Sequence, residues 1–188
     1  MRVETAFEVG EADPVLEIPW ENRERATQHL DLRQTPAALR EIEPARRHRP
    51  LHSFLAAVNS DDSVFSTVRC GVWLEPELGE TSEFASQIDV VFALHEFNLD
   101  RLRYEGLCQR LLELLTRDAG EAMRAELRVR RCYFRQTDER GFCLAMLLRA
   151  RGETPGQAEL RWGLGLVRLQ QALLFISRAI RQHLALSN

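Results

Sequence analysis

The sequence contains no lysine, and all twenty-five of its basic residues are arginines. This absence excludes Schiff-base catalysis by a lysine amine, and it excludes regulation through lysine modification. Every cationic contact must instead be made by a planar guanidinium group. A GC-rich genome produces the same composition, so the arginine bias by itself does not indicate a function.

Long apolar segments and clustered cysteines are also missing. No apolar run approaches the roughly 18 residues that indicate a membrane span, and Met1 to Glu8 carries acidic residues where a signal peptide needs an apolar core. We therefore expect a cytoplasmic protein with no membrane contact. The cysteines lack the CxxC pairs of zinc or redox sites and the density of a disulfide scaffold, and we interpret them as small buried apolar residues. They are Cys70, Cys108, Cys132 and Cys143.

The common local signatures of enzymes are absent. The sequence has no GxGxxG, GxxxxGK[ST], GxSxG or HExxH motif. His48 and His52 have the spacing of two metal ligands on a helix, but Pro50 lies between them and no carboxylate follows before Asp61. We predict no metal site and no cofactor, and no enzyme class is favoured.

Two β-hairpins and two longer helices are predicted after residue 60. Period-2 alternation indicates the first pair of strands, Ser63 to Leu74 and Gln87 to Glu96, and the second pair, Ala125 to Arg135 and Phe142 to Arg151. The first hairpin precedes a helix that Asn98 would cap and that would run to about Arg117, with Gly120 ending it. A second helix should begin at Thr154-Pro155, although residues 155–166 also alternate like a strand.

The first sixty residues give weaker signals. Thr5 to Val9 and Val15 to Pro19 resemble short strands, and Pro36 and Pro50 are positioned to begin two short helices. The predicted fold class is therefore α+β. We expect an antiparallel sheet of four to five strands, built from two hairpins in repeated ββα order, with the two longer helices packed on one face and short N-terminal helices. We predict a single domain over residues 1–188, with residues 1–48 as a loosely packed N-terminal extension.

In element order alone, over roughly residues 50–185, this pattern resembles the α-β-β-β-α-β-β-α arrangement of type III secretion chaperones. No sequence motif carries the resemblance. It is a likeness of topology, and a shared fold does not by itself imply a shared function.

Charge is distributed unevenly along the chain. Residues 1–100 hold nineteen acidic residues against nine arginines, a net of -10, whereas residues 101–188 hold nine against sixteen, a net of +7. We expect the two halves to fold against each other and to neutralise each other in space, so nucleic-acid binding is not expected. The rival hypothesis is a single-stranded nucleic-acid surface on the strand 124–135, where guanidinium groups alternate with aromatic rings. Its candidate residues are Arg128, Arg130, Arg131, Tyr133 and Arg135.

One candidate ligand site lies on the first hairpin. If Cys70 pairs with Val90, the side of the sheet opposite to these two residues gathers a base, a carboxylate, a guanidinium group and two aromatic rings. The candidates are Phe65, Arg69, Trp73, Asp89 and His95. Ordinary cross-strand pairs on a half-exposed sheet would give the same pattern.

The C-terminal helix carries an apolar stripe wider than one sheet requires. Its main line contains the predicted homodimer interface, namely Leu169, Leu173, Ile176, Ile180 and Leu184, and a second line flanks it with Leu160, Leu164, Val167 and Leu174. We therefore favour a non-catalytic, chaperone-like adaptor or protein-interaction module that binds another protein and forms a homodimer. A small-molecule site on the first hairpin and the nucleic-acid surface are the alternatives.

Overall fold

The computed structural model describes residues 1–22, 27–76, 81–116 and 122–186. Its strands are β1 (Arg2–Glu8), β2 (Leu16–Ile18), β3 (Glu21–Asn22), β4 (Thr27–Gln28), β5 (Phe65–Pro76), β6 (Ser82–Phe92), β7 (Met123–Phe134) and β8 (Glu139–Gly152). Its α-helices are α1 (Glu43–Arg47), α2 (Arg49–Val58), α3 (Arg101–Leu115) and α4 (Pro155–Leu186), and short 3₁₀ helices cover Pro36–Glu41 and His95–Leu99.

The α+β class and the two hairpins are confirmed, and the sheet is larger than predicted. Its strand order is β1-β7-β8-β6-β5, with β2 also pairing with β7, which makes six strands. β5 with β6, β6 with β8 and β7 with β8 are antiparallel, whereas β1 and β2 run parallel to β7. From α2 onward the described order is α-β-β-α-β-β-α, which has one strand fewer than the order of type III secretion chaperones.

The described part of the first forty-eight residues contributes to the core and to the sheet. Met1 and Leu32 are buried in the main core, and β1 and β2 lie against the edge of β7. Short polar strands such as β1 have half-exposed side chains, so their apolar alternation is weak, and nothing in their sequence indicates a parallel partner more than a hundred residues away.

Three helices cover one face of the sheet. α4 packs on β8 and β6, between α2 and α3, and the inward residues of the strands, such as Leu127 and Leu144, form the core beneath it. The predicted start of α4 is confirmed, because the Thr154 Oγ1 accepts a hydrogen bond from the Gln157 N–H at 3.2 Å. Residues 155–166 are helical rather than extended. No helix within the described residues is long and apolar enough to cross a membrane.

The helix α3 begins differently from the prediction. Asp100, not Asn98, is its N-cap, since the Asp100 Oδ1 accepts from the Leu102 N–H at 2.9 Å. Asn98 is buried in the preceding 3₁₀ helix, where it bonds the end of β6. The helix ends at Leu115, and Gly120, the predicted stop, lies outside the described residues.

We call the sheet face opposite the helices the charged face. One end of it carries a second apolar cluster, in which Leu16 and Ile18 cover Cys132, Phe134, Cys143, Val68 and Val91. The rest presents arginines and carboxylates that pair across the strands. A β-bulge between Thr67 and Arg69 shifts the alternation of β5, so odd-numbered residues face the helices before the bulge and the charged face after it.

Candidate functional site

The predicted ligand site on the first hairpin is only partly assembled. The actual register pairs Cys70 with Ile88 and Arg69 with Asp89, two residues away from the expected one. Arg69 and Trp73 lie on the charged face, but Phe65 precedes the bulge and is buried in the main core beneath the helices. His95 lies beyond the end of β6, in the 3₁₀ helix.

Asp89 is fully buried, and both of its carboxylate oxygens already accept hydrogen bonds. Arg69 donates through Nε to Oδ2 at 2.6 Å, with its Nη2 also 2.6 Å from Oδ2, and Gln87 donates to Oδ1 at 3.0 Å. A buried carboxylate with three such donors stabilises the sheet. It has no unpaired oxygen aimed at a substrate, so the expected base and carboxylate pair does not form here.

His95 belongs to a different, polar cleft. Its Nε2 lies 2.6 Å from the Glu139 Oε2 and 3.1 Å from the Thr137 Oγ1, and its ring packs edge-on against Phe134 at 4.8 Å between centroids. The hydrogen bond from His95, followed by that from Thr137, holds the pKa of Glu139 below its ordinary value.

The cleft has a volume of about 290 Å³ and is closed on its other side by the N-terminal segment, which contributes His29, Asp31 and Arg33. Burial lowers the pKa of His29, and the charge of Asp31 opposes that shift. Sequence reasoning missed this cleft, because nothing in the local pattern places residues 29–33 beside the ends of β6 and β7.

The arginines of the predicted nucleic-acid strand do not share one surface. Alternation along β7 places Arg128 and Arg130 on the charged face, whereas Arg131 and Tyr133 point to the other side, toward a groove of about 790 Å³ that also contains Arg140.

Most of these side chains have acidic or carbonyl partners. Arg128 pairs with Glu8 at 2.8 Å and with Glu126 at 2.7 Å, and Arg130 pairs with Glu8 at 3.1 Å. Arg135 pairs with Glu17, and the Arg131 Nη2 donates to the Glu11 carbonyl oxygen. The Tyr133 hydroxyl donates to Asp138. These guanidinium groups are therefore not a free cationic surface for a phosphate backbone.

The predicted dimer residues are used within the chain. Leu169, Leu173 and Ile176 are buried against the sheet, and Ile180 and Leu184 are half-buried against the same core. A contact between two copies could not use the first three without unpacking the fold.

The flanking line of the same helix is exposed instead. We call Leu160, Leu164, Val167, Gln171, Leu174 and Phe175 the outward stripe. Leu160 is 67% exposed, Leu164 53%, Val167 43% and Phe175 57%. Four large apolar side chains in line on a helix that otherwise packs well are more than the scattered exposure of an ordinary surface.

A cavity lies beside the C-terminal end of the outward stripe, between α2 and α4. It has a volume of about 470 Å³ and is lined by Leu174, Arg178, Arg181, Gln182, Ala57, Ser60 and Asp62. Arg181 is held by Asp62 at 3.1 Å and by the Asp61 carbonyl oxygen at 3.1 Å. The cavity thus combines two apolar side chains, Ala57 and Leu174, with polar ones, including two guanidinium groups and the Asp62 carboxylate.

Comparison with known proteins gives no family for this chain. No protein-family model matches it, and searches of curated proteins and of solved structures find no significant match.

Proposed function

We propose that this chain is a cytoplasmic, non-catalytic protein-interaction module whose docking surface is the outward stripe of α4. The observation that carries the proposal is the exposure of Leu160, Leu164, Val167 and Phe175 along one side of the central helix. Water-exposed apolar side chains in a continuous line cost free energy, about 25 cal/mol per Å² of apolar surface, which a partner would recover by covering them.

The two alternative sites have fewer unpaired groups with which to bind a ligand. Both carboxylate oxygens of Asp89 in the predicted ligand site already accept hydrogen bonds from Arg69 or Gln87, and Arg128 and Arg130 of the predicted nucleic-acid strand are paired. A chaperone-like adaptor needs an apolar surface that stays accessible in the folded protein, and the outward stripe supplies it. A homodimer, if it forms, would use this stripe rather than the buried line through Leu173.

The test is binding of helical peptides to the full chain. A displayed library of three-heptad peptides with leucine at positions a and d is sorted against the labelled protein, and each clone is tested again on Val167→Glu. We expect binding that Val167→Glu weakens about tenfold or more, because a buried charge would face the peptide's apolar side.

The matched control is Val15→Glu. Val15 is 44% exposed, close to the 43% of Val167, and it lines the groove that contains Tyr133 and Arg140 rather than contacting α4. Thermal unfolding of both variants verifies that each is folded. Peptide binding that ignores Val167→Glu, or that Val15→Glu weakens equally, would rule out the outward stripe as the docking surface.

A further inference from the structure

The helix α4, which carries the outward stripe, has an excess of basic residues, and Asp62 beside it pairs with Arg181. α4 contains four arginines, Arg161, Arg168, Arg178 and Arg181, and a single acidic residue, Glu159. That carboxylate is already engaged, because the Glu159 Oε1 lies 2.7 Å from the His48 Nδ1. Within the part of the chain that the structure describes, Arg178 has no ion-pair partner and lies on the rim of the cavity between α2 and α4.

The stripe has the spacing of a coiled-coil seam. Leu160, Leu164, Val167, Gln171 and Leu174 follow one another at intervals of four, three, four and three residues. A seam of this kind accepts the side chains of a second helix between its own. From Leu160 to Phe175 the stripe is about 22 Å long at 1.5 Å per residue, enough for about four turns of a partner helix.

The cavity supplies an anchor point at one end of this seam. Its volume of about 470 Å³ is open to a large apolar side chain, and Leu174 belongs both to the stripe and to the cavity wall. A carboxylate next to that side chain would meet Arg178 at the rim, where a guanidinium group can bind it in bidentate geometry.

A second copy of the chain fits the same seam poorly. Two α4 helices in isologous contact would offer each other four arginines and a single carboxylate, which is already bound by His48. Like charges beside a helix seam are destabilising, whereas opposite charges there set the choice of partner.

From the spacing, the cavity and the charge, we propose that the outward stripe binds an amphipathic helix of another protein with acidic residues flanking its apolar side, one large apolar side chain entering the cavity beside Arg178. The proposal rests on the docking function proposed for the stripe. It adds the chemistry of the partner.

The same displayed library tests it, with the positions that flank the seam drawn from glutamate, lysine and serine. We expect enriched clones to carry glutamate over lysine by about tenfold or more at these positions. Raising the salt concentration from low to physiological should weaken their binding, because exposed charge pairs are screened.

Arg178→Gln isolates the charge from the apolar contact. It should weaken glutamate-flanked peptides several-fold and leave serine-flanked peptides unchanged, whereas Arg140→Gln, on the groove at the β7–β8 end, should change neither. The light-scattering mass of the intact chain should remain that of a 21.7 kDa monomer.

Three results would overturn the inference. If the enriched peptides show no charge preference, or prefer lysine, the acidic partner is refuted. A loss of their binding in Val167→Glu would still support the docking stripe. A dimer that Val167→Glu converts to a folded monomer would identify a second copy as the occupant. If no clone loses binding in Val167→Glu, both the acidic partner and the docking function of the stripe are refuted.

Discussion

Two buried asparagines join helices to strands through their side-chain amides. Asn59, after α2, donates to the Leu55 carbonyl oxygen and the Thr67 hydroxyl and accepts from the Thr67 N–H, which fixes β5 beside its bulge. Asn98 does the same at the end of the neighbouring strand, β6. A side chain with two donors and one strong acceptor can satisfy a strand end that has no neighbouring strand.

Replacing Asn98 should therefore cost more than a surface mutation. Asn98 accepts from the Phe92 N–H at 2.7 Å and from the Tyr104 hydroxyl at 2.7 Å, and it donates to the Phe92 carbonyl oxygen at 2.9 Å. Asn98→Ala leaves these three buried groups without a partner, and we expect the free energy of unfolding to fall by about 3 kcal/mol. Urea denaturation measures it. Tyr104→Phe, which removes one bond, should cost only about 1 kcal/mol, and equal costs would contradict this account.

Glu83 should make stability depend on pH in the acid range. Burial alone would raise the pKa of Glu83, but hydrogen bonds and charge from Arg149 and Arg151 outweigh it and hold the pKa below the ordinary 4.5. A lowered pKa stabilises the fold above the unfolded-state value, and this contribution is lost as the pH falls through the folded-state value.

Glu83→Gln should lower the free energy of unfolding by about 1–3 kcal/mol at neutral pH, with the difference from wild type narrowing between about pH 5 and pH 3. Urea midpoints across this range measure the effect. Glu75→Gln is the control, because Glu75 contacts the same Arg149 but is far more exposed, so its effect should be small at every pH. A pH-independent effect of Glu83→Gln would refute the linkage.

At the scale of elements, α4 approaches the sheet closely where it carries glycine. A Cβ at Gly165 would lie 2.9 Å and 3.0 Å from the two methyl groups of Leu148, which is itself fully buried. Glycine costs a helix about 1 kcal/mol relative to alanine, so its presence here reflects packing. The alternation of glycine with leucine that resembled a strand forms a helix, in which Gly165 lies close to Leu148 of β8 and Gly163 lies close to Pro50 of α2.

Two glycine-to-alanine variants separate packing from propensity. Gly165→Ala should lower the free energy of unfolding by about 1 kcal/mol or more, because overpacking outweighs the gain in helix propensity. Gly106→Ala, in α3, should raise it by up to about 1 kcal/mol, because its new Cβ meets nothing within 4 Å. Chemical denaturation of both variants measures the signs. Stabilisation by Gly165→Ala would show that Leu148 can move aside.

The elements that the sequence could predict are those with local signals. Alternation and capping residues are local signals, so both hairpins, α3 and the Thr154 start of α4 were predictable. Strand register and strand ends are not local: one bulge beside Arg69 changed the face of Phe65, and the end of β6 at Phe92 left His95 in a 3₁₀ helix, apart from Asp89. The outward stripe was visible as a flanking apolar line, but only packing shows which line faces the sheet.

At the scale of the whole molecule, the opposite charges of the two halves of the chain meet across the sheet. Carboxylates from the first half pair with arginines of the second at β1 and β7, where Glu4 contacts Arg124 and Glu8 contacts Arg128 and Arg130. They pair again at β6 and β8, where Glu83 contacts Arg149 and Arg151, and at β2, where Glu17 contacts Arg135. The predicted neutralisation therefore has a structural basis in named pairs.

Removing the acidic partners should uncover the arginine strand. In the variant Glu4→Gln, Glu8→Gln, Glu17→Gln, four arginines, Arg124, Arg128, Arg130 and Arg135, lose these carboxylates. We expect the wild-type chain to bind a fluorescent single-stranded oligonucleotide weakly or not at all at physiological salt. The variant should bind it with a slope of log affinity against log salt of about -2, since Arg124, Arg128 and Arg130 share the charged face and each phosphate contact on a single strand contributes about -0.7.

The control changes the same charge elsewhere. Glu43→Gln, Glu105→Gln, Glu113→Gln removes three carboxylates that pair with arginines within helices, and it alters the net charge by the same amount. If binding follows net charge alone, both variants will bind the oligonucleotide equally. If masking by β1 and β2 keeps the strand inert, only the first will bind, and replacing Arg128 and Arg130 with glutamine in that background will reduce the salt slope. Tight binding by the wild-type chain would show that its ion pairs do not mask the strand.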